Sequence, residues 1–195
     1  MKASFTLLPP GRERKGPVVL GLGSNRSFGC MESRDILEAA CKALAEILED
    51  LRRASFYETD PLHVAGQGRF LNTAVAGFCR NDPRWLLVRT QEIEASLGRN
   101  RAEERRWGER TLDIDILLFG DMVFSDPVLE IPHPRLRERR FALVPLLELL
   151  PGAREPGSGA SYRSYCDALP SQGFFSRVRE SFPSCGSASA LYLDR

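Results

Sequence analysis

Apolar residues recur in this chain with two different periods. Pro17 to Gly23 is a short apolar run, Val18-Val19-Leu20 leading into Gly21-Leu22-Gly23, and reads as a buried strand. After Ser33, a candidate N-cap, the residues Ile36, Leu37, Ala40, Leu44, Ile47, Leu48 and Leu51 return at helical spacing. Glu and Arg fill the intervening positions, so an amphipathic helix is expected to end near Arg53. Ser55-Phe56-Tyr57, within 54–59, has strand character, and Phe70 to Phe78 reads as a second β segment. Between them, Asp60-Pro61 opens a loop that contains Gly66 and Gly68. Asp82-Pro83 is a cap followed by proline at the first helical position, and Leu86, Ile93 and Leu97 continue one face to Gly98.

Residues 99–109 form a charged loop, and Leu112 to Phe119 is the clearest strand, turned by Gly120-Asp121. Ile131-Pro132-His133-Pro134 is extended. Arg137 to Leu143 looks helical, Pro145 starts a further short helix to Leu150, and Tyr162 to Leu169 forms one more. The order β-α-β-β-α-β followed by small helices predicts an α+β fold. The expectation is a ferredoxin-like α/β sandwich with a central, mainly antiparallel sheet and flanking helices, packed on one face.

Hydrophobic residues at 43% and charged residues at 27% of 195 residues describe one ordinary globular domain. It is expected over 17–180, between an N-terminal arm, 1–16, and a flexible tail, 181–195. No apolar run reaches the ~18 residues of a membrane span, and residues 1–16 have the wrong order for a secretory signal. A cytoplasmic location is the expectation. Cys30, Cys41, Cys79, Cys166 and Cys185 are scattered without a CxxC pair, which argues against a disulfide framework or a zinc site. A net charge of +1 gives no global attraction to nucleic acid or to an anionic membrane.

The chemistry lies in local charge. On the strand Leu112-Asp113-Ile114-Asp115-Ile116, alternation sends Leu112, Ile114, Ile116 and Leu118 to the core. Asp113 and Asp115 then share the other face, about 6.6 Å apart along the strand. Such a pair is either a solvated face or a hard-cation site of the kind Mg²⁺ completes with water and phosphate oxygens. Arg99, Arg101, Arg105, Arg106 and Arg110 precede this strand, while Arg135, Arg137, Arg139 and Arg140 follow His133. Guanidinium forks match phosphate, although interleaved glutamates also allow a solvated charged loop. Gly21-Leu22-Gly23-Ser24-Asn25 lacks both GxGxxG and a GK[ST] ending, so it reads as a tight strand exit. His63 sits in the glycine-containing loop, whereas His133, held between prolines, is the better phosphate contact. Trp107 in a charged loop calls for a planar partner. Phe70 and Phe141 are either core residues or ring-stacking faces.

Together these segments resemble the 6-hydroxymethyl-7,8-dihydropterin pyrophosphokinase family. The matching stretches are Gly23-Ser24-Asn25, Ser55-Phe56-Tyr57-Glu58-Thr59-Asp60-Pro61-Leu62 and Phe70-Leu71-Asn72. They continue with the run from Arg106-Trp107-Gly108 through Arg110-Thr111-Leu112-Asp113-Ile114-Asp115 to Gly120, then Ile131-Pro132-His133-Pro134-Arg135-Leu136 and Arg139-Arg140-Phe141. The resemblance implies transfer of pyrophosphate from ATP to the pterin hydroxymethyl group, giving AMP, a step of folate biosynthesis. It implies Asp113 and Asp115 as ligands of two Mg²⁺ ions. Phe70, Phe141, Thr59, Leu62, Asn72 and Trp107 are then pterin contacts. Gln91, Glu94, Arg101, Arg110, Ile116, His133 and Arg139 fall on the ATP side. Arg99, Arg101, Arg106 and Arg110 are catalytic-loop arginines, with Arg106 preferred over Arg105. A monomer acting on small molecules, without nucleic acid or membrane partners, is the expectation. Some members carry lysine where Ala102 stands here, the 99–107 loop is one residue longer than in some, and Pro134 replaces a tyrosine. A catalytically lapsed relative and a ferredoxin-like RNA-binding module are the alternatives.

Overall fold

The computed structural model describes residues 17–61, 66–101, 108–170 and 173–178. The expected arm, 1–16, and tail, 181–195, lie outside the described residues, as do Leu62, His63, Ala102, Arg105, Arg106, Trp107 and Cys185. The elements run β1 (Val18–Ser24), α1 (Ser33–Ala45), β2 (Glu49–Arg53), β3 (Tyr57–Thr59), β4 (Phe70–Phe78), α2 (Pro83–Ser96) and β5 (Asp113–Phe119). They continue with β6 (Phe124–Ser125), β7 (Glu130–Ile131), a 3₁₀ turn (Leu136–Glu138), α3 (Arg140–Leu149), α4 (Tyr162–Ala168) and β8 (Phe175–Arg177). The main sheet has the order β5-β1-β4-β3-β8, with β2 also paired to β4 and every pairing antiparallel. Short β6 and β7 pair separately.

Helices cover both faces of the sheet, not one as expected. Val18, Leu20 and Leu22 of β1 pack with Ile36, Leu37, Ala40 and Leu44 of α1 and Leu86 of α2. Val19, Ala74, Ala76 and Leu117 pack on the other face with Leu143, Leu146 and Leu147 of α3 and with Tyr162 and Cys166 of α4. The sequence carried this signal: a strand buried on both faces reads as a continuous apolar run, and Val18-Val19-Leu20 and Ala74-Val75-Ala76 are such runs.

Several boundaries shift for identifiable reasons. The helix α1 stops at Ala45, where Leu44 C=O accepts from both Ile47 and Leu48 N–H, and Glu49–Arg53 becomes strand β2. Asp50, inside β2 where the register with β4 shifts between Glu49 and Arg52, has a left-handed φ of 51°, which helical periodicity does not report. Its N-cap is Glu32 rather than Ser33, with Asp35 accepting from Glu32 N–H in a capping box. Asp82 does cap α2, accepting from Trp85 N–H at 2.9 Å. Helix α3 continues through Pro145 in one piece. The alternation on β5 breaks at a register shift opposite Val19/Leu20, so Leu118 joins the α3 side instead of the Ile114 side.

Candidate active site

The α3-side face is covered only in part. Beyond the N-terminal end of α3 it opens into a pocket lined by Gly21, Gly23, Thr59, Phe70, Asn72, Arg110, Asp113, Asp115, Arg139 and Phe141, among others. The floor is set by β1. Gly21 pairs with Asp115 and Ala74, and Gly23 with Asp113 and Asn72. A Cβ on Gly23 would stand 3.0 Å from Asn72 Oδ1, and one on Gly21 3.2 Å from a Leu117 methyl. The Gly-Leu-Gly stretch is therefore pocket floor inside a strand, not a strand exit. Its glycines leave room where any side chain would rise into the cavity.

One end of the pocket is aromatic and amide-like. Asn72 Nδ2 donates to Thr59 Oγ1 at 2.9 Å, and the two residues are only 4% and 6% exposed. That bond leaves Asn72 Oδ1 as an acceptor and the Thr59 hydroxyl proton as a donor, beside the rings of Phe70 and Phe141. Flat rings with a few fixed polar atoms suit a planar, polar heterocycle.

The other end is ionic. Asp113 accepts from Arg99 Nη1 at 2.5 Å and from Arg110 Nη1 at 2.8 Å, while Asp115 accepts from Arg139 Nη1 at 2.7 Å. Burial works to raise the Asp113 pKa, but Arg99 and Arg110 together hold it below the usual carboxylate range. Burial, with Asp113 as a neighbouring like charge, raises that of Asp115 against His133 and Arg139. His133 Nε2 lies 3.7 Å from Asp115 and 3.4 Å from Arg139 Nη1; burial lowers its pKa despite Asp115. Where β1 leaves the sheet, Asn25 and Arg110 exchange hydrogen bonds, and Arg110 Nε is buried without a hydrogen-bond partner. A buried, unpaired donor on a cation lining a cavity is suited to an anionic ligand.

Glu94, on α2, is 1% exposed and accepts from Arg99 at 2.6 Å, Arg101 at 2.5 Å and Ile114 N–H at 2.8 Å. Its carboxylate thus holds two loop arginines against β5. Gln91 lies half-buried three residues earlier on the same helix. Ile116 stands apart: alternation turns its side chain into the α1/α2 core, away from the pocket, so only its main chain can reach a pocket ligand. Asp60, Pro61 and Gln67 also line the pocket. Asp60 and Pro61 fall in a stretch that carries the family resemblance but were given no role there, and Gln67 belongs to an aperiodic loop with no pattern to mark it.

Paired carboxylates within a ring of arginines, next to a recess walled by aromatic rings, make a pocket whose chemistry suits a flat heterocycle at one end and a polyphosphate with a hard cation at the other. A model of the 7,8-dihydro-6-hydroxymethylpterin-pyrophosphokinase (HPPK) family matches residues 19–151, and the chain belongs to that family. The 2-amino-4-hydroxy-6-hydroxymethyldihydropteridine pyrophosphokinase of Pseudomonas aeruginosa is 38% identical over 158 residues, covering 80% of this chain and 93% of that protein. The mitochondrial folate synthesis bifunctional protein of Pisum sativum is 36% identical over 148 residues, 76% of this chain. The chain spans only 28% of that longer protein. A crystal structure of wild-type Plasmodium falciparum HPPK-DHPS superposes with a TM-score of 0.60 at 17% identity, over 80% of this chain and 45% of that one, a likeness of fold.

Proposed function

We propose that this chain transfers the β,γ-pyrophosphoryl group of ATP to the hydroxymethyl oxygen of 6-hydroxymethyl-7,8-dihydropterin. The supporting observation is a single pocket in which Phe70, Phe141, Asn72 and Thr59 adjoin Asp113, Asp115, Arg110 and Arg139. Both substrates would share one cavity, so the acceptor oxygen and the polyphosphate chain meet without crossing solvent.

In this reading the rings of Phe70 and Phe141 cover the two faces of the pterin, and Asn72 and Thr59 bond its edge. Arg110, Arg139 and His133 face the phosphates, and Glu94 keeps Arg99 and Arg101 at the pocket's rim. The hydroxymethyl oxygen forms a bond to Pβ as the bond from Pβ to the α,β-bridging oxygen breaks. AMP leaves with that oxygen, and the hydroxyl proton passes to solvent. Such transfer depends on in-line positioning and charge neutralisation more than on a strong base.

The donor set of Asp113 and Asp115 fits Mg²⁺. The two are hard oxygen ligands on one strand face, and among the described residues no third ligand joins them to make an all-protein cage. Two such ions, when bound, would neutralise phosphate charge and acidify the attacking hydroxyl. The role of the three paired arginines is then to hold both carboxylates in place between turnovers.

Leu62, Arg106 and Trp107 complete the proposed site from segments outside the described residues, and the domain is proposed to extend over 17–180. No described helix is long and apolar enough to cross a membrane. The reading is of a cytoplasmic monomer whose partners are its two small-molecule substrates. The test is to incubate the protein with ATP, Mg²⁺ and the pterin and to separate the nucleotides. AMP formed only with pterin present supports the reading. ADP, or no turnover despite binding of both ligands, overturns it, the second in favour of a lapsed relative.

A further inference from the structure

Asp60, at the edge of the pocket, is fastened by residues that lie beyond the family-matched stretch, 19–151. Asp60 directly follows Thr59, and the chain returns to the pocket through Gln67 and Arg69 to Phe70. Asp60 Oδ1 accepts from Arg69 Nε at 3.1 Å, and Oδ2 accepts from Phe174 N–H at 2.8 Å. Asp60 N–H in turn donates to Phe174 C=O at 3.1 Å. The Arg69 guanidinium lies 3.7 Å from the Phe174 ring centroid, a close cation–π stack. Gly173 makes the approach possible, since with φ +54° a Cβ there would meet Asp60 Oδ2 at 2.8 Å. The next residues form β8, whose Phe175 pairs with Thr59 and packs its ring 5.3 Å from Tyr57.

We propose that Phe174 and Arg69 form a clasp on Asp60 that positions the adjoining pocket residues, Thr59 and Asp60 on one side and Phe70 on the other, and so sets the affinity of the pocket for its pterin ligand. Neither residue lines the pocket; they act through Asp60, Thr59 and Phe70, which do. The parts of the clasp are exposed, with the Arg69 and Asp60 side chains 46% and 44% accessible. Exposed ion pairs and exposed cation–π contacts are individually weak, too weak to govern the whole fold. They are of the right size to bias a local equilibrium in how Asp60 and Arg69 are held, and with them the neighbouring Thr59 and Phe70. When only a fraction of molecules holds the binding arrangement, the apparent Kd rises by the inverse of that fraction. Removing the stack is therefore expected to raise the pterin Kd about two- to fivefold.

This inference rests on the pterin reading of the pocket, so its test has one arm that does not. Phe174→Ala, Arg69→Leu, the double variant and Phe174→Tyr are compared with the wild type for pterin Kd, ATP Kd, Tm and amide hydrogen exchange at Asp60 and Gly68–Phe70 in the ligand-free protein. The expected result is a weaker pterin Kd in both single variants and a double variant no worse than the poorer single. ATP Kd stays within about twofold, Phe174→Tyr stays near wild type because it keeps the ring, and exchange accelerates at the named amides. An unchanged pterin Kd with unchanged exchange overturns the clasp. So does a parallel rise of both Kd values with a large loss of Tm, which is general destabilisation. If the wild type binds no pterin, the functional reading and the affinity claim fail together, while faster exchange in the variants would still establish the clasp.

Discussion

Gly23→Ala separates the pocket floor from the fold. The added methyl would stand 3.0 Å from Asn72 Oδ1 and 4.0 Å from a Phe70 ring carbon. An ordinary contact needs about 3.4 Å or more, so the Asn72 amide must retreat by roughly 0.4 Å. That retreat strains its 2.9 Å bond to Thr59 Oγ1, the pair that presents the polar edge of the pocket. Stability should change little. The left-handed φ that would penalise alanine is absent at Gly23, and the reduced freedom of the unfolded chain gains about 0.4–1 kcal/mol, offsetting the crowding. Binding should suffer, because losing one well-placed hydrogen bond at a buried site costs about 1–3 kcal/mol, roughly five- to hundredfold in Kd. The assay is equilibrium titration with pterin and, separately, with ATP, alongside thermal melting. A pterin Kd raised about fivefold or more, with Tm held within about 3 °C, is expected. Unaltered pterin binding would refute the assignment of Gly23 and Asn72 to the ligand floor. Collapse of the fold would refute the view that the glycine serves the cavity.

Three further substitutions probe separate parts of the site. Asp115→Ala should cut turnover by at least about 10²-fold while circular dichroism stays native, because Asp115 faces the pocket and not the core; an active variant would contradict the metal assignment. Phe141→Ala should weaken pterin binding far more than ATP binding, and equal losses would make Phe141 merely a packing residue. Glu148 accepts from Ser55 N–H and Oγ and from Tyr57 Oη, which brace α3 against the β3 end of the sheet. Burial opposes its ionisation, yet Ser55 and Tyr57 hold its pKa below the ordinary value, and burial with Glu148 pushes the Tyr57 hydroxyl up to about 12. A depressed carboxyl stabilises fully above its unfolded pKa and loses that contribution as pH falls through the folded one. The urea-midpoint gap between wild type and Glu148→Gln should therefore be full at pH 7 and shrink below about pH 4.5, whereas a pH-independent gap would exclude the mechanism.

Much of this was legible in the sequence where a single period or a single rule governs. Strand β4 follows from its run of strand-forming residues, and helix α2 with its Asp82 cap and the outward pairing of Asp113 with Asp115 follow from capping and alternation alone. The second helical layer was present in the continuous apolar runs of β1 and β4, which mean burial on both faces. Strand β2 was not legible, because Ile47, Leu48 and Leu51 continue the helical spacing past the turn at 46–47 where α1 ends. The bulge that moves Leu118 across the sheet arises from pairing with β1, which no local window contains. Glu94 was placed near ATP by resemblance. Its geometry, gripping Arg99, Arg101 and the Ile114 amide, depends on how α2 packs beside β5. The roles of Asp60 and Gly173 depend on a contact across more than a hundred residues.

Pyrophosphoryl transfer differs from every other ATP-dependent phosphorylation in which phosphorus atoms move. The decisive measurement is to supply ATP labelled in its β-phosphoryl group, with Mg²⁺ and 6-hydroxymethyl-7,8-dihydropterin, and to follow the label. Appearance of the β label in the pterin fraction, in step with AMP, is the predicted result. A β label that remains in a nucleotide while only the γ-phosphoryl group moves would contradict the account.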